Sequence, residues 1–65
     1  MMIFVNGEKR ETSAGTVAAL VDSLGLPAQS VLVEHNSLAL RRDEWHSHQL
    51  QPEDRIEIIR IVAGG

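Results

Sequence analysis

The two residues that end the chain, Gly64 and Gly65, are those whose type and position best suit chemistry. Because glycine has no Cβ, two in succession allow an extended chain end to enter a narrow channel in another protein. They also leave the terminal carbonyl open to attack. A carboxylate is a poor acyl donor until it is activated, for example as an acyl-adenylate. Such an end therefore suits a protein substrate better than an enzyme, and Gly65 is the expected reactive residue.

An inert tail is the alternative, because glycine is common at disordered chain ends. The functional interpretation of the diglycine is favoured because an apolar, strand-like run, "RIEIIRI", leads almost directly into it. This interpretation is also favoured because the rest of the chain offers few reactive groups.

The histidines of "WHSH" are the next candidates. His46 and His48 could point the same way from an extended segment and bind a metal ion, with His35 or Asp43 as a third ligand. A polar surface loop with two solvated histidines is the stronger interpretation, because no defined ligand set accompanies them. The sequence therefore predicts no metal site.

Nucleophilic catalysis is also not indicated. The serine and threonine hydroxyls fall at predicted turns and helix ends, and no glycine-flanked elbow holds one of them. Gly15 and Gly25 stand alone, so no phosphate-binding loop is present. A chain of 65 residues is also too short to build a deep pocket around a catalytic group. The prediction is a protein that is not an enzyme.

Composition limits the remaining classes. The chain has room for one domain, and without cysteine it has no disulfide, zinc finger or iron–sulfur cluster. A net charge of -3 with dispersed basic residues argues against nucleic acid as a partner. No signal peptide or membrane-spanning stretch is evident, so we expect a soluble cytoplasmic protein. The surface is expected to be mildly acidic, with contributions from Asp22, Glu34, Glu44, Glu53, Asp54 and Glu57.

The elements that position the tail follow from the apolar patterns. "MMIFV", the turn Asn6-Gly7 and "EKRET" predict a β-hairpin. Further on, "SVLVEH" and "LALR" predict two strands joined by a turn at Asn36-Ser37, and "RIEIIRI" predicts a last strand. The polar segment between them predicts a single helical turn near residues 43–45. Trp45, the only tryptophan, is expected to plug one end of the core.

One helix is expected in "AGTVAALVDSLGLP". Its apolar stripe has helical spacing, with Thr16 as the N-cap and Gly25 as a left-handed residue that ends the helix. The stripe consists of Val17, Leu20, Val21 and Leu24.

This order predicts an α+β fold in which one helix covers one face of a mixed sheet of four to five strands. If the first and last strands pair in parallel, the helix lies in the crossover between them, as in a β-grasp sheet. With Ile3, Val5, Ile56 and Ile58 facing the helix, Phe4, Ile59 and Ile61 must lie on the open face. An apolar cluster there is typical of a partner surface. The alternative is that segment 41–53 folds over that face.

The sequence resembles the ThiS family of ubiquitin-like β-grasp proteins, the sulfur carriers of thiamin biosynthesis. The likeness covers nearly the whole chain, including "VNGE", "GTVAALVDSLGL", "VLVEHNSLALRRDEW" and "LQPEDRIEIIRIVAGG", with Asn36, Arg42 and Trp45 at matching positions. Two residues depart from the family pattern. Arg41 stands where proline is usual, and Glu53 replaces the usual glycine in the turn before Asp54.

The resemblance implies a β-grasp domain over residues 1–62 and a flexible tail over residues 63–65. Gly65 would be adenylated by a ThiF-type, E1-like adenylyltransferase and then converted to a thiocarboxylate. A ThiG-type thiazole synthase would receive the sulfur while Gly64 keeps the tail thin. Phe4, Ile59, Ile61 and Arg42 are the predicted partner-binding residues. The carrier would hold no cofactor, because ATP and magnesium are used by the activating enzyme, and it would be a monomer when free.

Three other functions remain open. The small subunit of molybdopterin synthase uses the same tail chemistry, although its chains tend to be longer. A ubiquitin-like protein modifier would attach its tail to other proteins; Lys9 is the only lysine, so self-linked chains are nearly excluded. A binding module with an inert diglycine is the third.

Overall fold

The computed structural model describes residues 1–61, so Gly64 and Gly65 and the predicted boundary at residue 62 lie outside the described residues. Within them are five strands, one α-helix and two 3-10 helices. In chain order these are β1 (Met2–Val5), β2 (Glu8–Glu11), α1 (Val17–Ser23), a first 3-10 helix (Ala28–Ser30), β3 (Val31–His35), β4 (Leu38–Leu40), a second 3-10 helix (Arg42–Ser47) and β5 (Arg55–Arg60).

The strands form a single mixed sheet in the order β2-β1-β5-β3-β4. β1 and β5 run parallel, with Phe4 opposite Arg55, whereas the other three pairs are antiparallel. The helix lies in the crossover between the two parallel strands. This is the ubiquitin-like β-grasp fold. The mixed sheet and the single helix were predicted correctly, and the parallel pairing that was considered for the first and last strands is present.

Both predicted two-residue turns are present. Asn6 and Gly7 have φ angles of 51° and 82°, and Asn36 and Ser37 have φ angles of 50° and 71°. Two successive left-handed residues define the type I′ turn, whose twist matches that of the flanking strands.

The two turn asparagines also hold β5. The Asn6 side chain accepts a hydrogen bond from the Ile58 N–H (2.7 Å) and donates one to the Ile58 carbonyl (3.2 Å). The Asn36 side-chain oxygen accepts from the Arg55 N–H (2.8 Å), while the backbone N–H of Asn36 donates to the Arg55 carbonyl (2.8 Å). Asn6 therefore continues the pairing of β5 beyond the point where β1 ends.

The helix has the predicted caps. The Thr16 hydroxyl accepts a hydrogen bond from the Ala19 N–H (3.1 Å), which satisfies a donor that has no partner inside the helix. Gly25 has a φ of 71°, and its N–H donates to the Asp22 carbonyl (3.0 Å). A left-handed glycine at this position ends the helix, as expected.

The core lies between the helix and the covered face of the sheet. Its buried residues are Ile3, Val17, Leu20, Val21, Val31, Val33, Leu40, Trp45, Leu50 and Ile56. Val5 and Ile58 are half-buried against this cluster, so the predicted inward set of β1 and β5 is confirmed. Trp45 closes the core as expected, with 4% of its surface exposed.

Segment 41–53 lies on the helix side of the sheet. Its 3-10 helix packs against α1 and carries Trp45 into the core, and Gln49 forms a β-bridge with Thr16 at the start of the helix. The alternative that this segment covers the open face is therefore wrong.

At the two positions that depart from the family pattern, the backbone has a conformation that the family's usual residue could also adopt. Arg41 has a φ of -77°, which lies in the range that proline adopts. Glu53 has a φ of 69°, and the Asp54 N–H donates to the Gln51 carbonyl (3.1 Å). With Pro52 as the second residue and a left-handed third residue, this is a type II turn, in which glycine is the favoured third residue.

Candidate functional site: the open face and the end of β5

The central strand leads the chain toward the predicted reactive end. β5 is hydrogen-bonded to a strand on each side, and Ile61, just after it, donates its N–H to the Ser30 carbonyl (2.7 Å). The chain is thus fixed to the sheet four residues before Gly65. The roles predicted for Gly64 and Gly65 remain predictions, because both residues lie outside the described range.

The open face of the sheet, which the helix does not cover, carries an apolar cluster beside the end of β5, where the chain leaves the sheet. Ile59 lies opposite Leu32 of β3, and these two residues and Ile61 are 49%, 52% and 48% exposed. Nothing in residues 1–61 covers them. Leu32 was not among the predicted docking residues. The alternation of "SVLVEH" could have identified it, because Val31 and Val33 point into the core and Leu32 must then point outward.

Phe4 lies on the same face but apart from this cluster. It is opposite Arg55, four residues before Ile59 on β5, which corresponds to about 13 Å along a strand. Its ring is half-buried, with the Arg55 guanidinium 4.9 Å and the Lys9 ammonium 5.9 Å from the ring centroid. These are cation–π contacts. The open face therefore has an apolar part near the exit and a cationic part around Phe4.

Arg42 lies elsewhere. It is exposed at the start of the second 3-10 helix and lines a hollow with Trp45, His46 and Asp22 on the helix side of the molecule. The four predicted partner-binding residues therefore do not form one surface. The reason is that segment 41–53 packs on the helix, which carries Arg42 away from the open face.

Asp54 was predicted to be a surface acid and is instead buried, with 9% of its surface exposed. Its carboxylate accepts hydrogen bonds from the Asn36 amide (3.0 Å), the Gln51 N–H (2.9 Å) and His35 Nε2 (2.7 Å). Burial alone would raise its pKa. The hydrogen bonds from Asn36, His35 and Gln51 outweigh burial and hold the pKa of Asp54 below its ordinary value of 3.8.

The histidines are also paired differently from the prediction. His48 is half-buried and its Nδ1 lies 3.1 Å from Nδ1 of His35, whereas His46 is exposed. The prediction of two solvated histidines is therefore right for His46 and wrong for His48. No group of three histidine, aspartate or glutamate side chains in residues 1–61 is arranged to hold a metal ion.

A hollow of about 540 Å³ in the described part of the chain is not lined by a histidine, serine or threonine. Its apolar lining consists of Val5, Leu24, Leu26 and Ile58. It therefore lacks the groups of a nucleophilic active site. Within residues 1–61 no helix is long and apolar enough to cross a membrane.

Comparison with known proteins gives a consistent result. The model of the ThiS family matches residues 3–65. The chain is 33% identical to the sulfur carrier protein ThiS of Bacillus subtilis, with 98% of this chain and 100% of the relative covered. It also resembles the crystal structure of the thiamine biosynthesis protein ThiS from Geobacter metallireducens, with a TM-score of 0.83, 28% identity and full coverage of both chains.

A longer relative matches as well. The whole chain is 35% identical to a segment of a thiazole synthase from Magnetococcus marinus and spans only 20% of that protein's length. The matches to the family and to the short relative extend over almost the entire sequence and agree with the sheet order and the single helix. The chain therefore belongs to the ThiS family.

Proposed function

We propose that the protein carries sulfur on its C-terminal carboxylate, at Gly65, for synthesis of the thiamin thiazole ring. As a member of the ThiS family it is a sulfur carrier of thiamin biosynthesis and not an enzyme. The observation that carries the proposal is the family match over residues 3–65, which includes both terminal glycines.

The proposed chemistry first activates the Gly65 carboxylate and then replaces one of its oxygen atoms with sulfur. A Gly65 carboxylate oxygen attacks the α-phosphate of ATP, which forms an acyl-adenylate and releases pyrophosphate. A sulfur nucleophile at the oxidation level of sulfide (HS⁻) then attacks the same carbonyl carbon, and AMP leaves with the former carboxylate oxygen, so that no reductant is needed. The product is a thiocarboxylate, and transfer of its sulfur leaves an activated carbonyl that water returns to the carboxylate. The carrier itself needs no cofactor in this scheme, because the activating enzyme uses the ATP and magnesium.

We propose two partners, a ThiF-type, E1-like adenylyltransferase and a ThiG-type thiazole synthase. The Magnetococcus relative supports the second partner, because there a segment similar to this entire chain is part of a longer protein named thiazole synthase. A carrier segment joined to its acceptor would have a high effective concentration at the acceptor's active site.

The apolar part of the open face is the proposed docking surface for these partners. Ile59, Ile61 and Leu32 expose about half of their surfaces beside the end of β5, so a partner that covers them also receives the tail. Phe4, with the cations Lys9 and Arg55, forms a second contact on the same face. Arg42 would require a separate contact with a partner that also reaches the helix side.

The free carrier is further proposed to be a cytoplasmic monomer. The open face would bind the activating enzyme and the synthase in turn, so a permanent dimer through this face would compete with both partners.

The test is an intact-mass measurement. The protein is incubated with ATP, magnesium, a ThiF-type enzyme and a sulfur source, and its mass is expected to rise by the difference between a sulfur and an oxygen atom. Fragmentation should place that change on Gly65. Absence of any exchange at Gly65 would contradict the sulfur-carrier function.

Deletion of Gly65 provides the matched control. The variant should keep the unfolding midpoint of the full chain, because Gly65 follows the last strand, and it should show no exchange. A variant that unfolds would mean that the tail is structural. Pull-down with the thiocarboxylate form separates the related functions, since recovery of a molybdopterin synthase subunit in place of the thiazole synthase would contradict the thiamin assignment.

A further inference from the structure

The pair formed by His35 and His48 is the feature that the carrier chemistry leaves unused. His35 ends β3 on the covered face of the sheet, and His48 follows the second 3-10 helix. Their Nδ1 atoms are 3.1 Å apart and their rings meet edge to face, with an interplanar angle of 74°. The His35 side chain is 12% exposed, and His48 is half-buried.

The 3.1 Å separation of the two Nδ1 atoms is close to that of two nitrogen ligands bound to one metal ion. Two imidazole nitrogens bound to zinc at 2.0–2.1 Å lie about 3.3 Å apart when the angle at the metal is tetrahedral. At a right angle, as in square-planar copper, the same bond lengths give about 2.9 Å. The observed 3.1 Å lies between these values. In the hydrogen-bonded pair the two nitrogens point at each other, so the rings would have to turn by about 40° from that line to aim both Nδ1 lone pairs at one ion.

Asp54 orients one of the two rings as in known metal sites. Metal-bound histidines usually donate their other ring N–H to a carboxylate, which fixes the tautomer and raises the basicity of the ligating nitrogen. Here His35 Nε2 lies 2.7 Å from the Asp54 carboxylate, which leaves the Nδ1 lone pair of His35 free to bind. Hydrogen bonds from Asn36 and Gln51 in turn hold Asp54, so the orientation of His35 is fixed by the fold.

We propose that His35 and His48 bind a borderline divalent transition-metal ion such as Zn²⁺ through their Nδ1 atoms, with water completing the coordination. Imidazole suits zinc and its neighbours better than it suits magnesium or calcium. No third histidine or carboxylate in residues 1–61 completes the ligand set, so this is a two-ligand site of modest affinity.

The proton balance of binding is simple. A hydrogen bond between the two Nδ1 atoms requires one proton between them, because one nitrogen must donate and the other accept. With both rings neutral, His35 carries its proton on Nε2 and His48 carries the shared one on Nδ1. The metal ion replaces that proton, which moves to Nε2 of His48 or to water. Protons therefore compete with the metal, and binding weakens as the pH falls.

The ion would join two parts of the molecule that are distant in sequence. The segment containing His48 is tied to the start of α1, because the His48 carbonyl accepts from the Val17 N–H (3.0 Å) and the Leu50 N–H donates to the Gly15 carbonyl (2.9 Å). A metal bridge to His35 would link this segment to the end of β3. A ligand that binds only the folded state stabilises that state. In residues 1–61 this cysteine-free chain has no disulfide and no three-ligand metal site that could cross-link it otherwise.

The experiment is a Zn²⁺ titration followed by imidazole ¹H–¹⁵N spectra and by thermal unfolding, with Mg²⁺ as the comparison ion. Zn²⁺ is expected to bind with one-to-one stoichiometry, to shift the Nδ1 signals of His35 and His48 but not of His46, and to raise the unfolding temperature. Mg²⁺ should do none of these.

Three variants test whether this pair is the site. His48→Gln should lose saturable binding, whereas His46→Gln, at an exposed histidine two residues away, should bind like the parent chain. Asp54→Asn should bind roughly tenfold more weakly through its effect on His35. Amide spectra of each variant show whether it is folded, and if His48→Gln is not, the Zn²⁺-dependent shift of the His48 Nδ1 signal in the parent chain decides in its place. No saturable binding to the parent chain, retention in a folded His48→Gln, or loss in His46→Gln would each overturn the proposal.

Discussion

The two faces of β5 differ in what they contact, although they alternate along a single strand. Ile56 points toward the helix and is completely buried, whereas Ile59, three residues later, points away and is 49% exposed. Residues facing the helix hold the domain together, while those facing away contribute little to its stability. With the open face as the proposed docking surface, stability and recognition would be carried by different side chains of one strand and could be changed separately.

The largest expected effect comes from the covered face. Ile56→Thr removes apolar volume from a fully buried site and places a hydroxyl there without a water contact. We expect a loss of about 2–4 kcal/mol in the free energy of unfolding. A small domain has limited stability, so much of this variant should be unfolded at 37 °C. Urea unfolding followed by circular dichroism measures the change; a loss within 0.5 kcal/mol, roughly the range of surface substitutions, would mean that the two faces do not differ.

The polar network at the edge of the covered face should give the next largest effect. Asp54→Asn places an amide N–H₂ among groups that all donate hydrogen bonds, and we expect a loss of about 1–3 kcal/mol. Urea unfolding at neutral pH measures it, and an unchanged midpoint would show that the network contributes nothing.

The same network predicts a pH dependence. Because the pKa of Asp54 is lower in the folded state than its ordinary 3.8, the folded state binds fewer protons than the unfolded state in this range. Its stabilising contribution is complete well above pH 3.8 and is lost as the pH falls through the folded-state pKa. Below about pH 4, the free energy of unfolding should therefore fall more steeply with decreasing pH in the parent chain than in Asp54→Asn. Equal slopes in the two proteins would contradict this.

The turn that leads into β5 should be improved by substitution. Glu53 has a left-handed φ of 69°, a conformation that costs a residue with a Cβ about 1–2 kcal/mol. Glu53→Gly removes that cost but adds freedom to the unfolded chain, so the net gain should be about 0.5–1 kcal/mol. Glu53→Ala is the matched control, because it removes the same charge and keeps the Cβ. A gain of the same size in Glu53→Ala would attribute the effect to charge instead.

The smallest effect on stability is expected on the open face. Ile59→Thr keeps a β-branched side chain and should change the free energy of unfolding by less than about 0.5 kcal/mol. Its affinity for the thiazole synthase should nevertheless fall measurably by calorimetry, because it removes a central apolar contact. Unchanged binding would exclude Ile59 from the docking surface.

The sequence predicted those parts of the fold that depend on nearby residues. The Asn6-Gly7 turn, the caps of α1 and the two faces of β5 each follow from residues within one turn or one strand. These features were predicted correctly because local backbone preferences and the alternation of side chains determine them. The apolar content of β1 and β5 correctly indicated that both strands are central in the sheet, whereas their parallel pairing was only one possibility.

The features that were missed depend on contacts between distant residues. Asp54 is buried because His35 and Asn36, nineteen and eighteen residues earlier, donate hydrogen bonds to it. The approach of His48 to His35 and the placement of Arg42 both depend on how segment 41–53 packs on the helix. No local pattern in the sequence specifies that packing.

The position of β5 has a mechanical consequence. A partner that draws the chain end into a channel pulls on β5 along its own axis. Because β5 lies between two strands and is also held by Asn6 and Asn36, such a force loads its lateral hydrogen bonds together in shear. An edge strand would instead be peeled off one bond at a time. The domain can therefore remain folded under traction on the very strand that leads to its chain end.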